Sequence, residues 1–228
     1  MTLAVADGTA MEAFVAHPSG GGGPGLLVLQ EAFGVNAHIR SVAERYAKLG
    51  FTAIAPELFH RTAPPGFEGS YTDYASIREH VEALTREGIL ADVGAAYDWL
   101  ARQAKIPADR IAAVGYCMGG RCAFIANATL PLAAAVSYYG TPDSLEDAAK
   151  QHGPILMFWG GLDQHIPPER YRPVADALTA AGADHEQVVF AKADHGFNCD
   201  ARASYNPGAA RQALALALEF LRVHGVLQ

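Results

Sequence analysis

The stretch IAAVGYCMGGRC, Ile111 to Cys122, decides how this chain is read. It opens on an apolar run without alternation, the pattern of a strand buried on both faces. It then turns through Gly115, Gly119 and Gly120 into GRCAFIANA, which has helical spacing. Gly115-Tyr116-Cys117-Met118-Gly119 fits G-x-S-x-G with cysteine in place of serine. That motif has a mechanical basis. A sharp strand-to-helix turn lifts the central side chain above the sheet, and flanking glycines let the backbones close in. The helix that starts at the turn favours negative charge on the sulfur of Cys117. A free thiol, with a pKa of roughly 8.5, is little ionised near neutrality, so such a site also needs a base. Cys122 lies inside the helix beside Ala123 and Phe124 and reads as packing.

Outward from this point, strands and helices alternate. GLLVLQ, FTAIAPEL, LAAAVSYYG, PILMFWGG and EQVVFA read as further strands. HIRSVAERYAKLG, the region from Asp73 to Gln103 with a break near Gly88, SLEDAAKQ, PERYRPVADALTAAG and GAARQALALALEFLRVHG read as helices. Leu214, Leu218 and Leu221 fall on one face of the last helix. LAVADGTAMEAFVA reads as a hairpin about Asp7-Gly8. Residues 60–75 are loop, and SGGGGPG, from Ser19, is a surface loop rather than a linker. The expectation is an α/β fold in one domain, residues 1–228: a mainly parallel, doubly wound sheet with an N-terminal hairpin and helices on both faces.

Composition narrows the function. The net charge of -7 argues against nucleic acid as a partner. The three cysteines, 117, 122 and 199, do not form a disulfide framework, which points to a reduced cytoplasm. Asp7 and Glu12 interrupt the apolar run a signal peptide needs, and no stretch has the length of a membrane helix. Nine histidines occur without H-E-x-x-H or C-x-x-C spacing, so spacing gives no dedicated metal site.

In open sheets of this kind, ligands gather at the carboxyl ends of the strands. His195 follows EQVVFA at that edge and is the candidate base. His185, in the other ADH triplet, precedes the strand at its wrong end. Asp163, after PILMFWGG, and Asp143, after LAAAVSYYG, both stand at carboxyl edges and could orient an imidazole. Strand order favours Asp163, while Asp143 also suits a helix cap. His165, near Asp163, reads as an exposed loop residue that could line a pocket. Glu31, directly after the first parallel strand, reaches the same edge as Cys117. The backbone N–H groups of Ala32 and Met118 are the expected oxyanion donors.

These residues resemble the dienelactone hydrolases (carboxymethylenebutenolidases), within the α/β-hydrolase fold. Four islands carry the resemblance, in order along most of the chain: QEAFGVN, GYCMGG, GGLDQHIP and ADHGF. The resemblance implies a triad of Cys117, Asp163 and His195. It also implies a role for Glu31 in holding the resting thiol and switching on the thiolate. Two departures stand out. The family holds a substrate carboxylate with two arginines, one of them four residues after the catalytic histidine. Cys199 occupies that place here, with Arg202 the nearest arginine. For the other, Tyr74 falls near the expected position and Arg78 is the closest arginine.

The expected activity is hydrolysis of a small ester or lactone, with no cofactor and no metal, by a monomer or small homo-oligomer. A general carboxylesterase or thioesterase is the enzymatic rival. A thiol redox sensor built on Cys117 and Cys122 is the rival of another class, disfavoured by poor disulfide geometry across an elbow.

Overall fold

A computed structural model describes residues 1–140 and 145–227. Asp143, the alternative acid, lies outside the described residues. Among the described residues eight strands join one sheet in the order β1-β2-β4-β3-β5-β6-β7-β8. They are β1 (Thr2–Ala4), β2 (Ala10–Ala16), β3 (Gly25–Leu29), β4 (Thr52–Pro56), β5 (Ile111–Tyr116), β6 (Ala134–Tyr138), β7 (Ile155–Gly160) and β8 (His185–Phe190). β1 and β2 form the expected hairpin, and β2 runs antiparallel to β4. Every pairing from β4 through β8 is parallel. In the hairpin turn, Asp7 Oδ1 accepts from the Thr9 N–H at 3.0 Å and its hydroxyl at 2.6 Å.

Alternation along the buried strands sorts side chains to the two faces. Leu26 and Val28 of β3, Val114 of β5 and Val136 of β6 point to one side. Helices α1 (Ala37–Lys48) and α6 (Pro207–Val223) cover that side, through Ile39, Val42 and Tyr46 and through Ala213, Ala217 and Leu221. Leu27, Leu29 and Ala113 point to the other side, where α3 (Arg86–Asp98) and α4 (Met118–Asn127) pack. Helix α5 (Pro168–Ala181) covers β6 and β7 there, through Tyr171, Val174 and Leu178. This is the doubly wound α/β-hydrolase architecture.

Three local expectations change. The stripe of α6 that meets the sheet is Ala213, Ala217, Phe220 and Leu221. Leu214 and Leu218 only flank it, because small alanines allow the helix to approach closely. The helical region after residue 74 breaks at 83–85, not at Gly88. It forms α2 (Ala75–Glu82) and then α3, because Thr85 caps α3 by accepting the Gly88 N–H at 3.0 Å. The short helix before β7 is a 3₁₀ segment, Leu145–Lys150. Among the described residues no helix is long and apolar enough to cross a membrane.

The topology places the site. β4 lies on one side of β3 and β5 on the other, so the chain reverses its direction of winding between β3 and β5. A crevice opens at such a switch point, beyond the carboxyl ends of the strands. Leu29 pairs with Gly115 in register, so Glu31 and Cys117 leave adjacent strands at the same edge. Closure of the turn depends on absent side chains. A Cβ at Gly115 would strike the carbonyl of Gly119, and one at Gly119 would strike the carbonyls of Leu29 and Gln30.

Gly119→Ala is therefore expected to destabilise the protein by about 1–3 kcal/mol or more, because rigid backbone must move to admit one methyl group. Urea unfolding measures this, and an unchanged midpoint with unchanged slope would refute the close-packing account.

Candidate active site

The turn between β5 and α4 holds Cys117 at φ 54° and ψ -116°. This is a positive-φ conformation that a side chain adopts only when its surroundings impose it. The Cys117 N–H donates to the Tyr138 carbonyl at 2.9 Å, and the Cys117 carbonyl accepts from the Gly120 N–H at 2.9 Å. The side chain is partly exposed. Met118 begins α4, where helix geometry leaves N–H groups without intrahelical partners. Ala32 and Met118 both line the cavity that contains Cys117.

His195 sits on the loop after β8. Its Nε2 is 3.1 Å from Cys117 Sγ, and its Nδ1 is 2.8 Å from Asp163 Oδ2. Asp163 Oδ1 accepts the N–H groups of His165 at 2.7 Å and Ile166 at 2.9 Å, which fixes the carboxylate. Burial disfavours charge on His195. The bonds to Asp163 and Cys117 outweigh it and raise the imidazole to about 10. Burial likewise opposes ionisation of Asp163, and the bond to His195 overcomes it, lowering that carboxyl. The three side chains form one connected chain of hydrogen bonds, with the imidazole between sulfur and carboxylate.

Glu31 is fully buried. Its Oε1 lies 3.4 Å from Arg202 Nη1, and among the described residues its Oε2 has no hydrogen-bond partner. The Arg202 guanidinium also lies over the rings of Phe33 and Tyr71, 5.7 and 5.8 Å from their centroids. Burial pulls the guanidinium down, but the charge of Glu31 outweighs it and holds it firmly protonated. Cys199 is fully buried, with Sγ donating to the Tyr71 hydroxyl at 3.2 Å. Burial and the charge of Glu31 raise its thiol to about 11.

The cavity measures about 480 Å³. Phe33, Val81 and Ile166 give it apolar walls, while Arg202 and Arg121 bring positive charge. Tyr74 lines it, as its place in the sequence suggests. Arg78 does not. It lies on the exposed face of α2, paired with Glu82 one turn on at 2.7 Å, so its expected substrate contact is corrected. His165 is exposed and still lines the cavity, its ring 5.3 Å from that of His195. His185 begins β8, at the opposite end of the strand from the loop that carries His195. Cys122 is buried against Leu27 and the other residues of that core.

Tyr139 and Arg121 are polar lining residues that the sequence reading does not single out. Tyr139 directly follows β6 at φ 41°, fully buried, its ring 5.1 Å from that of His195. Its place at a carboxyl edge was the available signal. Arg121 stands one helical turn beyond Cys117 on α4 and also lines the cavity.

Residues 11–225 match the model of the dienelactone hydrolase family. A Yersinia pestis protein described as "Putative carboxymethylenebutenolidase" is 35% identical over 99% of this chain and 88% of its own length. An Escherichia coli K12 protein of the same description is 35% identical over 96% of this chain and 84% of its own length. The crystal structure of a "Putative Dienelactone Hydrolase" from Klebsiella pneumoniae superposes with a TM-score of 0.88. It shares 33% identity, and 97% of each chain is covered. With an elbow cysteine, a histidine and an aspartate joined at one edge of the sheet, and the family model matched over residues 11–225, this chain belongs to the dienelactone hydrolase family.

Proposed function

We propose that this hydrolase cleaves small carboxylic esters or lactones by way of a thioester on Cys117. The observation that carries the reading is the single file of Sγ, imidazole and carboxylate at 3.1 and 2.8 Å. Cys117 thiolate attacks the substrate carbonyl, forming a C–S bond. The N–H groups of Ala32 and Met118 receive the oxyanion. His195, protonated at rest, gives its Nε2 proton to the leaving alkoxide as the C–O bond breaks. In a lactone that alkoxide stays tethered to the acyl group. His195 then takes a proton from water, hydroxide attacks the thioester, and the C–S bond breaks to release the acid. Asp163 holds Nδ1 and stabilises the imidazolium.

Glu31 and Arg202 tune this centre. Glu31 leaves the strand adjacent to that of Cys117 at the same edge, and its carboxylate accepts a hydrogen bond from the thiol formed when Sγ takes the Nε2 proton and turns away from His195. Arg202 receives a carboxylate on the substrate, in place of the arginine that Cys199 displaces. A cavity of about 480 Å³ suits a small acyl group and not a polymer. Cys117, Cys122 and Cys199 form no disulfide, which supports a cytoplasmic setting.

Intact-protein mass spectrometry with a panel of lactones and short aryl esters tests the scheme. An acyl adduct on Cys117 is expected. Cys117→Ala abolishes the adduct and lowers turnover on the order of 10⁴-fold or more. Asp163→Asn lowers it ~10²–10⁴-fold. Full turnover by Cys117→Ala would overturn the mechanism, and equal rates on neutral aryl esters and lactones would favour a general esterase.

Arg202→Gln is expected to raise KM for carboxylate-bearing esters by roughly 10–100-fold, the worth of a charge-assisted hydrogen bond, and to leave neutral esters nearly unaffected. A uniform loss on both classes would remove Arg202 from substrate recognition.

The raised imidazole also predicts how stability varies with pH. His195 keeps its proton in the folded state to about 10, against 6.5 when free. Between those values the folded chain binds more protons than the unfolded one, so stability falls as pH rises. The contribution is complete below 6.5 and gone above about 10. Thermal unfolding across this range should show the decline in the native protein and its loss in His195→Gln.

A further inference from the structure

Beside the proposed acyl chemistry lies a second cluster. Glu31, His38 and Cys199 each bring one ligand atom to a common point, all within 4.8 Å of one another, and all three residues are buried. Among the described residues two polar atoms on these side chains have no hydrogen-bond partner, Glu31 Oε2 and His38 Nε2, on side chains that are 0% and 1% exposed. His38 reaches the cluster from the buried face of α1, and Cys199 from the loop after His195. The acyl mechanism gives neither of them a task.

We infer that Glu31, His38 and Cys199 form a binding site for one thiophilic divalent cation of the zinc class. The second contact of His38 supports this. Its Nδ1 lies 3.3 Å from Asp200 Oδ1, so Nδ1 carries the ring proton toward the carboxylate and Nε2 presents a lone pair. A carboxylate behind a histidine is the usual support of a metal ligand, fixing both tautomer and ring orientation. The donor set selects the ion. One thiolate, one imidazole and one carboxylate suit zinc, whereas calcium and magnesium require oxygen ligands. Tetrahedral bonds of ~2.0–2.3 Å set ligand atoms roughly 3.3–3.8 Å apart, so the widest pair contracts by about an ångström on binding.

Charge balances as well. On coordination the Cys199 thiol loses its proton to solvent, and thiolate plus carboxylate then neutralise the dication. Glu31 turns from Arg202 toward the ion, which frees the guanidinium to face the cavity. The ligands stand at 31, 38 and 199, so no compact spacing motif could reveal them. The competing occupant is a water molecule bridging the two unpartnered atoms.

Titration with cobalt(II) decides between them. The full-length Cys117→Ser variant is the starting protein, because Cys117 and His195 could themselves take a soft cation. One equivalent is expected to bind, with a thiolate-to-cobalt absorption band. Cys199→Ser, added to that background, should abolish the band, and His38→Gln should weaken binding at least about 10-fold. Asp200→Asn, a change at an exposed side chain that keeps all three ligands, should weaken binding about 10–100-fold. Unfolding midpoints without metal verify that each variant folds, and zinc should raise the midpoint of the parent protein. If Cys199→Ser does not fold, the His38→Gln and Asp200→Asn affinities decide. Absence of the band, or affinity unchanged by either of those variants, overturns the proposal and leaves a water-bridged polar cluster. The readout is binding, so it stands whether or not esters are turned over.

Discussion

The backbone of Cys117 is the constraint on which the rest depends. A residue with a Cβ is held at φ 54° and ψ -116°, which costs of order 1–3 kcal/mol by itself. The surrounding structure imposes it. Gly115 and Gly119 pack so closely that no Cβ fits between β5 and the first turn of α4, and Gly119 also lies against the carbonyls that end β3. The Tyr138 carbonyl at the end of β6 takes the Cys117 N–H. Three adjacent strands thus meet at one peptide. Relaxing the turn would separate β3 from α4 and break a hydrogen bond to β6, so the strain persists and the sulfur stays at the rim.

Position alone does not make the sulfur reactive. The electrostatics run along one file. Two N–H groups fix the Asp163 carboxylate, the carboxylate fixes Nδ1 of His195, and Nε2 then faces the sulfur. Each link removes a rotational freedom from the next, so the geometry is set before any ligand arrives. The loops that carry Asp163 and His195 leave neighbouring parallel strands, β7 and β8, in register from Ile155–His185 to Gly160–Phe190. The file is therefore as well ordered as the sheet beneath it.

Much of this was legible in the sequence because it follows from local rules. Buried parallel strands are short apolar runs, the elbow carries its glycines at fixed offsets, and the carboxyl-edge rule separated His195 from His185. Arg78 was misplaced because helix phase had no anchor. The break comes at the Thr85 cap, and only the fold shows that Arg78 turns to Glu82 on the exposed face of α2. The stripe of α6 was assigned to leucines because hydrophobicity was weighed without size, whereas close approach to the sheet selected Ala213 and Ala217. The convergence of Glu31, His38 and Cys199 could not be read at all. It depends on three segments meeting in space, and no periodicity records that.

Glu31 links the two halves of the site. A carboxylate with no solvent contact and a single guanidinium at 3.4 Å is incompletely compensated. Its field reaches its neighbours in one direction: it pushes up the acids of Tyr71, Tyr139 and Cys199, after burial has already raised each. Tyr116 is shifted by it in the same direction, so four groups feel one negative charge. Arg202 offsets part of it and is held against two aromatic rings, so it cannot approach the carboxylate from every side. Among the described residues the second carboxylate oxygen has no hydrogen-bond partner, and a ligand atom of Glu31 lies within 4.8 Å of one from His38 and one from Cys199. A pocket arranged in this way is short of positive charge at one defined point. Whatever supplies that charge competes with Arg202 for the same carboxylate.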